Sequence, residues 1–180
     1  MRTGNEIELD AVQIMEGLVR GLIRFKDDLR VETVNTLRSK TITVTAHADD
    51  TPKIIGSQGV NFKAIQKIAD AIGEQLSQRI TFVVTDPVVG QRFSQEKFKT
   101  DASYDPAAEL DLLEQIGWSI CDGDVRVEWV KTNDQSGTIM MLLDGNKMDY
   151  DPELEVALDT IFNAIGKAKG FIIHVELDSL

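Results

Sequence analysis

The chain has 180 residues, 42% hydrophobic and 27% charged, with a formal net charge of -11 at pH 7, so a packed core in one or two domains is expected rather than disorder. No apolar run reaches the roughly 18 residues of a membrane span, the N-terminal stretch lacks the basic start and apolar core of a secretory signal, and the single cysteine excludes an intramolecular disulfide. Composition therefore predicts a cytoplasmic protein with no membrane association.

The first half of the chain predicts the order helix, strand, strand, helix, helix, strand. Apolar residues at steps of three and four indicate an amphipathic helix over about residues 7–28. The alternating stretches RVETVNT and KTITVTAHA, separated by the polar LRS, predict two strands and a turn. After them come a short helical turn at DTPKII, the loop GSQG, a helix from Val60 to about Ser77 and the strand RITFVVTD.

The second half largely repeats this order. Residues 87–105 mix glycine, proline, serine and charges without a sustained period, which predicts a linker. Beyond it, AAELDLLEQIGWSI and DPELEVALDTIFNAIGKAKG predict helices, and VRVEWVKT, GTIMMLLDG and FIIHVELD predict strands. The triplet AIG closes the long helix of both halves. Order and spacing favour duplication over a chance match, and so predict an α/β (α+β) protein with two similar domains at 1–86 and 106–180.

The acidity of the chain is confined to its second half. Residues 1–99 hold 14 basic and 13 acidic side chains, whereas residues 100–180 hold 5 basic and 17 acidic ones. Phosphates are repelled by a strongly acidic surface but not by a near-neutral one. Any phosphate-binding site is therefore expected in the first half.

The loop GSQG has the chemistry of a weak phosphate cradle. Glycines at 56 and 59 tolerate positive φ and allow a sugar-phosphate chain to come close to the backbone. The free amides and the dipole of the helix that follows favour an anion at this point. Three cations, Lys53, Lys63 and Lys67, are near in sequence. A tight connection between two helices is the alternative explanation of the same spacing.

The wider pattern I-I-G-x-x-G-x-x-F-x-x-I, set in this order of strands and helices, resembles a type II KH domain. Residues 10–86 are most similar to the small single-KH RNA-binding proteins of bacteria, the KhpA family. The resemblance implies a clamp on single-stranded RNA, because the KH loop holds the backbone of about four nucleotides. By motif position the clamp would be Gly56, Ser57, Gln58 and Gly59. Ile54 and Ile55 would enter the apolar floor of the groove or the core beneath it. Lys53 and Lys63 would meet phosphates with Lys67 nearby, and Asn61 would contact a sugar or base.

Two features of this loop depart from the family pattern. The inner positions, often basic in the family, hold Ser57 and Gln58, and the next position holds Val60. Each missing cation removes about one neutralised phosphate. The sequence therefore predicts weak, salt-sensitive binding with modest base preference. Phe62 is assigned to the core rather than to base stacking.

The second half resembles a KH fold that has lost its clamp. At the equivalent place Asp151 and Pro152 predict a helix N-cap and first turn, and Glu153 and Glu155 follow in the turn that would otherwise meet an anion. Three explanations of its acidic surface stay open: solubility, a basic protein partner, or competition with RNA for the neighbouring groove.

Other residues that suggest chemistry have simpler explanations. A calcium loop starting at Asp144 is rejected because its sixth position is Asp149 rather than glycine. The two histidines lack triad or ligand spacing, and the cysteine is assigned to packing. Core packing is the default for the two tryptophans, although one at the surface would suit a partner interface. No cofactor, metal site or enzymatic activity is predicted. The resemblance implies RNA chaperoning or post-transcriptional regulation; the alternative is a protein-interaction module with a vestigial loop, and the oligomeric state stays open.

Overall fold

The computed structural model describes residues 4–85, 105–121, 124–133, 135–144 and 151–179. Most of the predicted linker and the middle of the rejected calcium loop lie outside these ranges, and the division into two domains stays a prediction. The described elements follow the predicted order in both halves. They are α1 (Gly4–Leu22), β1 (Arg30–Asn35), β2 (Ser39–Thr45), α2 (Thr51–Ile55), α3 (Val60–Leu76), β3 (Arg79–Thr85), α4 (Ala107–Ile120), β4 (Val125–Asn133), β5 (Ser136–Leu143), α5 (Pro152–Ala168) and β6 (Ile172–Ser179).

The strands form two three-stranded sheets with the same topology. The first sheet has the order β1-β2-β3 and the second β4-β5-β6. In each, the first two strands pair antiparallel and the last strand joins the middle one in parallel. Parallel neighbours need a long crossover, which α2 and α3 supply in the first half. The α/β prediction is confirmed, and the two sheets with their helices are consistent with two KH-like domains.

Helices from both halves pack together in one hydrophobic core. Helices α1 and α3 contact α4 and α5, and the buried apolar side chains of both halves form one continuous cluster. Gly21 on α1 permits a close approach, because a Cβ there would lie 2.9 Å from the side chain of Ile165 on α5. The sheet residues that alternate inward, such as Ile42 and Phe82, complete this core.

Two predictions about local structure are wrong. The first helix ends at Leu22 rather than near residue 28, because the backbone amides of Arg24 and Phe25 turn away to the buried carboxylate of Asp50, 2.8 Å from each. Trp118 is not a core residue: it is 41% exposed, on the side of α4 away from the buried Ile116 and Ile120.

The remaining packing predictions are confirmed. Cys121 is buried, Phe62 packs against Phe82 with ring centroids 5.9 Å apart, and Trp129 lies against Phe171 at 5.8 Å. No helix in the described ranges is both long and apolar enough to cross a bilayer.

Candidate nucleic-acid interface

The loop between α2 and α3 is a tight turn in which three residues have positive φ. Gly56 has φ 76° and ψ 169°, Gln58 has φ 55° and Gly59 has φ 76°. The Gly56 conformation is essentially restricted to glycine, and the left-handed region costs a non-glycine residue about 1–2 kcal/mol. Gly59 N–H donates to Gly56 O at 3.1 Å, closing the turn. The turn leaves Ser57 and Gln58 exposed, with Gln58 in a left-handed conformation that is unfavourable for a non-glycine residue.

Asn61 holds this turn from inside. Its Nδ2 donates to the carbonyl of Lys53 at 2.8 Å, which joins the start of α3 to α2 across the loop. A Cβ on Gly56 would lie 2.8 Å from Asn61 Cγ and 2.9 Å from its backbone nitrogen. The Asn61 side chain, predicted from the resemblance to meet a sugar or base, is thus engaged in bracing the loop.

The two loop glycines are expected to differ in their tolerance of alanine. Gly56→Ala combines a glycine-only conformation with a clash at Asn61, so we expect the free energy of unfolding to fall by about 3 kcal/mol. Gly59→Ala meets no atom within 4 Å and carries only the left-handed cost, about 1 kcal/mol. Urea denaturation of both variants checks the ranking. Equal losses would contradict the role given to Asn61.

The long helices of the two halves begin in opposite ways. Helix α3 starts at the N-cap Gly59, where no side chain caps the first amides, and the Val60 N–H donates to the Ser57 carbonyl. Helix α5 starts at Asp151, whose Oδ1 accepts the N–H of Glu153 at 2.9 Å, as predicted, and its first turn carries Glu153 and Glu155. Uncapped amides with the positive end of the helix dipole attract an anion. The start of α3 can therefore receive a phosphate, and the start of α5 already holds a carboxylate.

An apolar groove adjoins the loop. Ile54 is fully buried and belongs to the core, whereas Ile55 is 39% exposed. A shallow cavity of about 390 Å³ lies on this side, lined by Ala48, Thr51, Pro52, Ile55 and Gly56. Both isoleucines were expected in the floor of the groove or in the core beneath it, and Ile55 is the one that reaches this surface. Ala48, Thr51 and Pro52 were not predicted from the sequence, although they precede the motif by only a few residues.

The three lysines predicted near the loop have different surroundings. Lys53 Nζ lies 2.6 Å from Oδ1 of the buried Asp50. Lys67 Nζ lies 2.8 Å from Asp151 Oδ2 and 3.2 Å from Glu153 Oε2, both in the second half. Lys63 is exposed one helical turn beyond Gly59, and no ion pair links it to the described part of the chain. Lys63 is consequently the cation most available to a phosphate.

The ion pair between the halves changes the acidity of both partners. The hydrogen bond to Asp151 raises the pKa of Lys67, against an opposing effect of partial burial, and the bond to Glu153 raises it further. The same hydrogen bond from Lys67 lowers the pKa of Asp151, and the N–H of Glu153 acts in the same direction. Both groups are therefore firmly charged at neutral pH.

Sequence reasoning also missed Asp50. Its side chain is fully buried and accepts two backbone N–H groups as well as the ammonium of Lys53. An aspartate directly before Thr51-Pro52 has the signature of a helix N-cap. Its side chain instead joins the end of α1 to α2, and Lys53 is held by it.

A helix–strand–strand–helix–GxxG–helix–strand unit, with β3 parallel to β2, defines a type II KH domain. The family model for the KhpA/KhpB KH domain matches residues 12–84. Over 75 residues the chain is 37% identical to the RNA-binding protein KhpA of Mycobacterium leprae, covering 42% of this chain and 92% of that protein. The RNA-binding proteins KhpA of Streptomyces coelicolor and Bacillus subtilis are 33% and 35% identical, over 42% and 38% of this chain and 95% and 85% of theirs. The chain belongs to the KhpA family, and the family model ends before the second half.

Proposed function

We propose that this protein binds single-stranded RNA in the groove formed by α2, the Gly56–Gly59 loop and the start of α3. The observation that carries the proposal is the uncapped start of α3 behind a loop with positive φ, beside the exposed Lys63. Backbone amides receive a phosphate there, and the groove beside Ile55 accepts the apolar face of a base. The names of its relatives, RNA-binding protein KhpA, support the same ligand.

The binding is expected to be weak and sensitive to salt. Lys53 and Lys67 already have carboxylate partners, and Ser57 and Gln58 bring no charge to the loop. For single strands the slope of log K against log salt is about -0.7 per neutralised phosphate, so each phosphate contact that the loop makes weakens as salt rises. Such a protein suits transient contact with many RNAs. We therefore propose a non-enzymatic, cytoplasmic role in RNA chaperoning or post-transcriptional regulation.

Two aspartates in the loop test the proposal. In Ser57→Asp/Gln58→Asp, carboxylates stand where the phosphate is received, so we expect the affinity of the full chain for fluorescent single-stranded RNA to fall at least about tenfold. Fluorescence anisotropy at about 50 mM salt provides the measurement.

A matched variant distinguishes an effect at the loop from an effect of the overall net charge. Gln75→Glu/Gln115→Glu adds the same two charges at exposed helix positions away from the loop, and should change the affinity about twofold or less. If the loop variant binds RNA as well as the wild type, or if the control loses as much, RNA is not held at the Gly56–Gly59 loop.

A further inference from the structure

We infer that the second half limits the length of the RNA site along α3. Asp151 and Glu153 form ion pairs with Lys67, so Lys63 is the last lysine of this helix face that can attract an RNA phosphate. This inference rests on the proposed function. It assigns to the clamp-less half a specific task, which is to restrict how far along α3 an RNA backbone is attracted.

The position of Lys67 makes it the natural continuation of the phosphate track. Lys63 and Lys67 are four residues apart, so they lie on the same face of α3 with one turn, about 5.4 Å, between them. Lys63 stands one turn from Gly59, where the helix amides begin. With both lysines open, a strand leaving the loop would meet two successive cations.

The start of α5 reverses the charge at the second of these positions. Lys67 Nζ contacts Asp151 Oδ2 at 2.8 Å and Glu153 Oε2 at 3.2 Å, so the three groups together carry a net charge of -1. Glu153 is 82% exposed, and its charge faces solvent beside the lysine. Exposed ion pairs of this kind contribute little to stability. Their effect on RNA comes from repulsion, which acts over the Debye length of about 10 Å at 0.1 M salt.

The residues at the start of α5 both cap their own helix and pair with Lys67. Asp151 caps its own helix through Oδ1 while Oδ2 binds Lys67, and Glu153 sits two residues later in the first turn. Acidic residues are favoured there by the helix dipole. The second half, which lacks the loop glycines, thus places two carboxylates against α3 of the first half, which follows the glycine loop.

The experiment compares the full chain with Asp151→Asn/Glu153→Gln. Asparagine caps a helix as well as aspartate, so the fold is retained, which thermal unfolding verifies. We expect affinity for single-stranded RNA to rise about three- to tenfold at about 50 mM salt, and the salt slope to become steeper by about 0.7 as Lys67 gains a phosphate. Adding Lys67→Gln to this variant should abolish the steeper slope and leave only the smaller gain in affinity that comes from the relieved repulsion.

A matched control removes two acidic charges elsewhere in the same half. Asp111→Asn/Glu128→Gln alters exposed side chains on α4 and β4 and gives the same net charge as the test variant. An equal gain in the control, or a steeper salt slope that survives Lys67→Gln, would overturn the inference. Unchanged affinity in the test variant, with normal loss in Ser57→Asp/Gln58→Asp, also overturns it while leaving the loop as the RNA site. Absence of RNA binding in every variant overturns both.

Discussion

Replacing Phe82 with alanine is expected to lower the free energy of unfolding by about 3–5 kcal/mol, and to do so for both halves of the chain together. Phe82 is 1% exposed at the centre of β3, paired with Ile42 and in ring contact with Phe62. Its removal leaves a cavity in a core to which α4 and α5 also contribute. One connected core predicts one cooperative transition.

The two tryptophans make this prediction easy to check. Trp118 and Trp129 both lie in the second half, so their fluorescence reports on unfolding there, and far-UV circular dichroism reports on the whole chain. In Phe82→Ala both signals should shift to the same lower urea midpoint. Val34→Ala, at an exposed position of β1, is the control and should change stability by about 0.5 kcal/mol or less. If the urea midpoint of the fluorescence transition were the same in Phe82→Ala as in the wild type, the two halves would unfold independently.

Asp50→Ala is expected to cost about 3 kcal/mol, although it removes an acidic residue from an acidic protein. The carboxylate is fully buried, and its loss leaves the amides of Arg24 and Phe25 without their acceptor and Lys53 without its counter-ion. Buried unsatisfied amides cost about 1–3 kcal/mol each. Lys53 is partly exposed and can turn to water, so it adds little.

Two neighbouring variants sharpen this prediction. Asp50→Asn keeps one acceptor oxygen and should lose about half as much. Asp49→Ala removes the adjacent carboxylate, which is 77% exposed, and should lose about 0.5 kcal/mol or less. Urea denaturation of the three variants provides the ranking. If Asp50→Ala and Asp49→Ala were equally stable, the link between α1 and α2 would be unimportant.

Element order and the loop motif were predictable because both depend on the spacing of residue types over short stretches of the chain. The steps of three and four in VNFKAIQKIADAIG define α3, and alternation defines the strands of both sheets. The exposure of Trp118 was also within reach. Buried positions on α4 recur at Leu113, Ile116 and Ile120, and Trp118 is two residues from Ile116, off that face.

Contacts between distant residues were not predictable in the same way. Lys67 and Glu153 are 86 positions apart, and nothing in the local pattern of either residue requires the other. The lysine was expected near a phosphate because it follows the loop one helical turn after Lys63, and only the packing of α3 on α5 brings the two carboxylates to it. The same holds for Asp50, whose partners precede it by 25 and 26 residues.

The parallel pairing of β2 and β3 also bears on the order of folding. Strands β1 and β2 are joined by a short turn in which Thr36 bonds Ser39, so this hairpin can close within microseconds. The GxxG loop, in contrast, lies inside the crossover that links β2 to β3, and a non-local parallel pair forms slowly because the connecting loop must be closed first. The loop proposed to hold RNA is therefore fixed onto a completed sheet late in folding, and in a nascent chain only once β3 has been made.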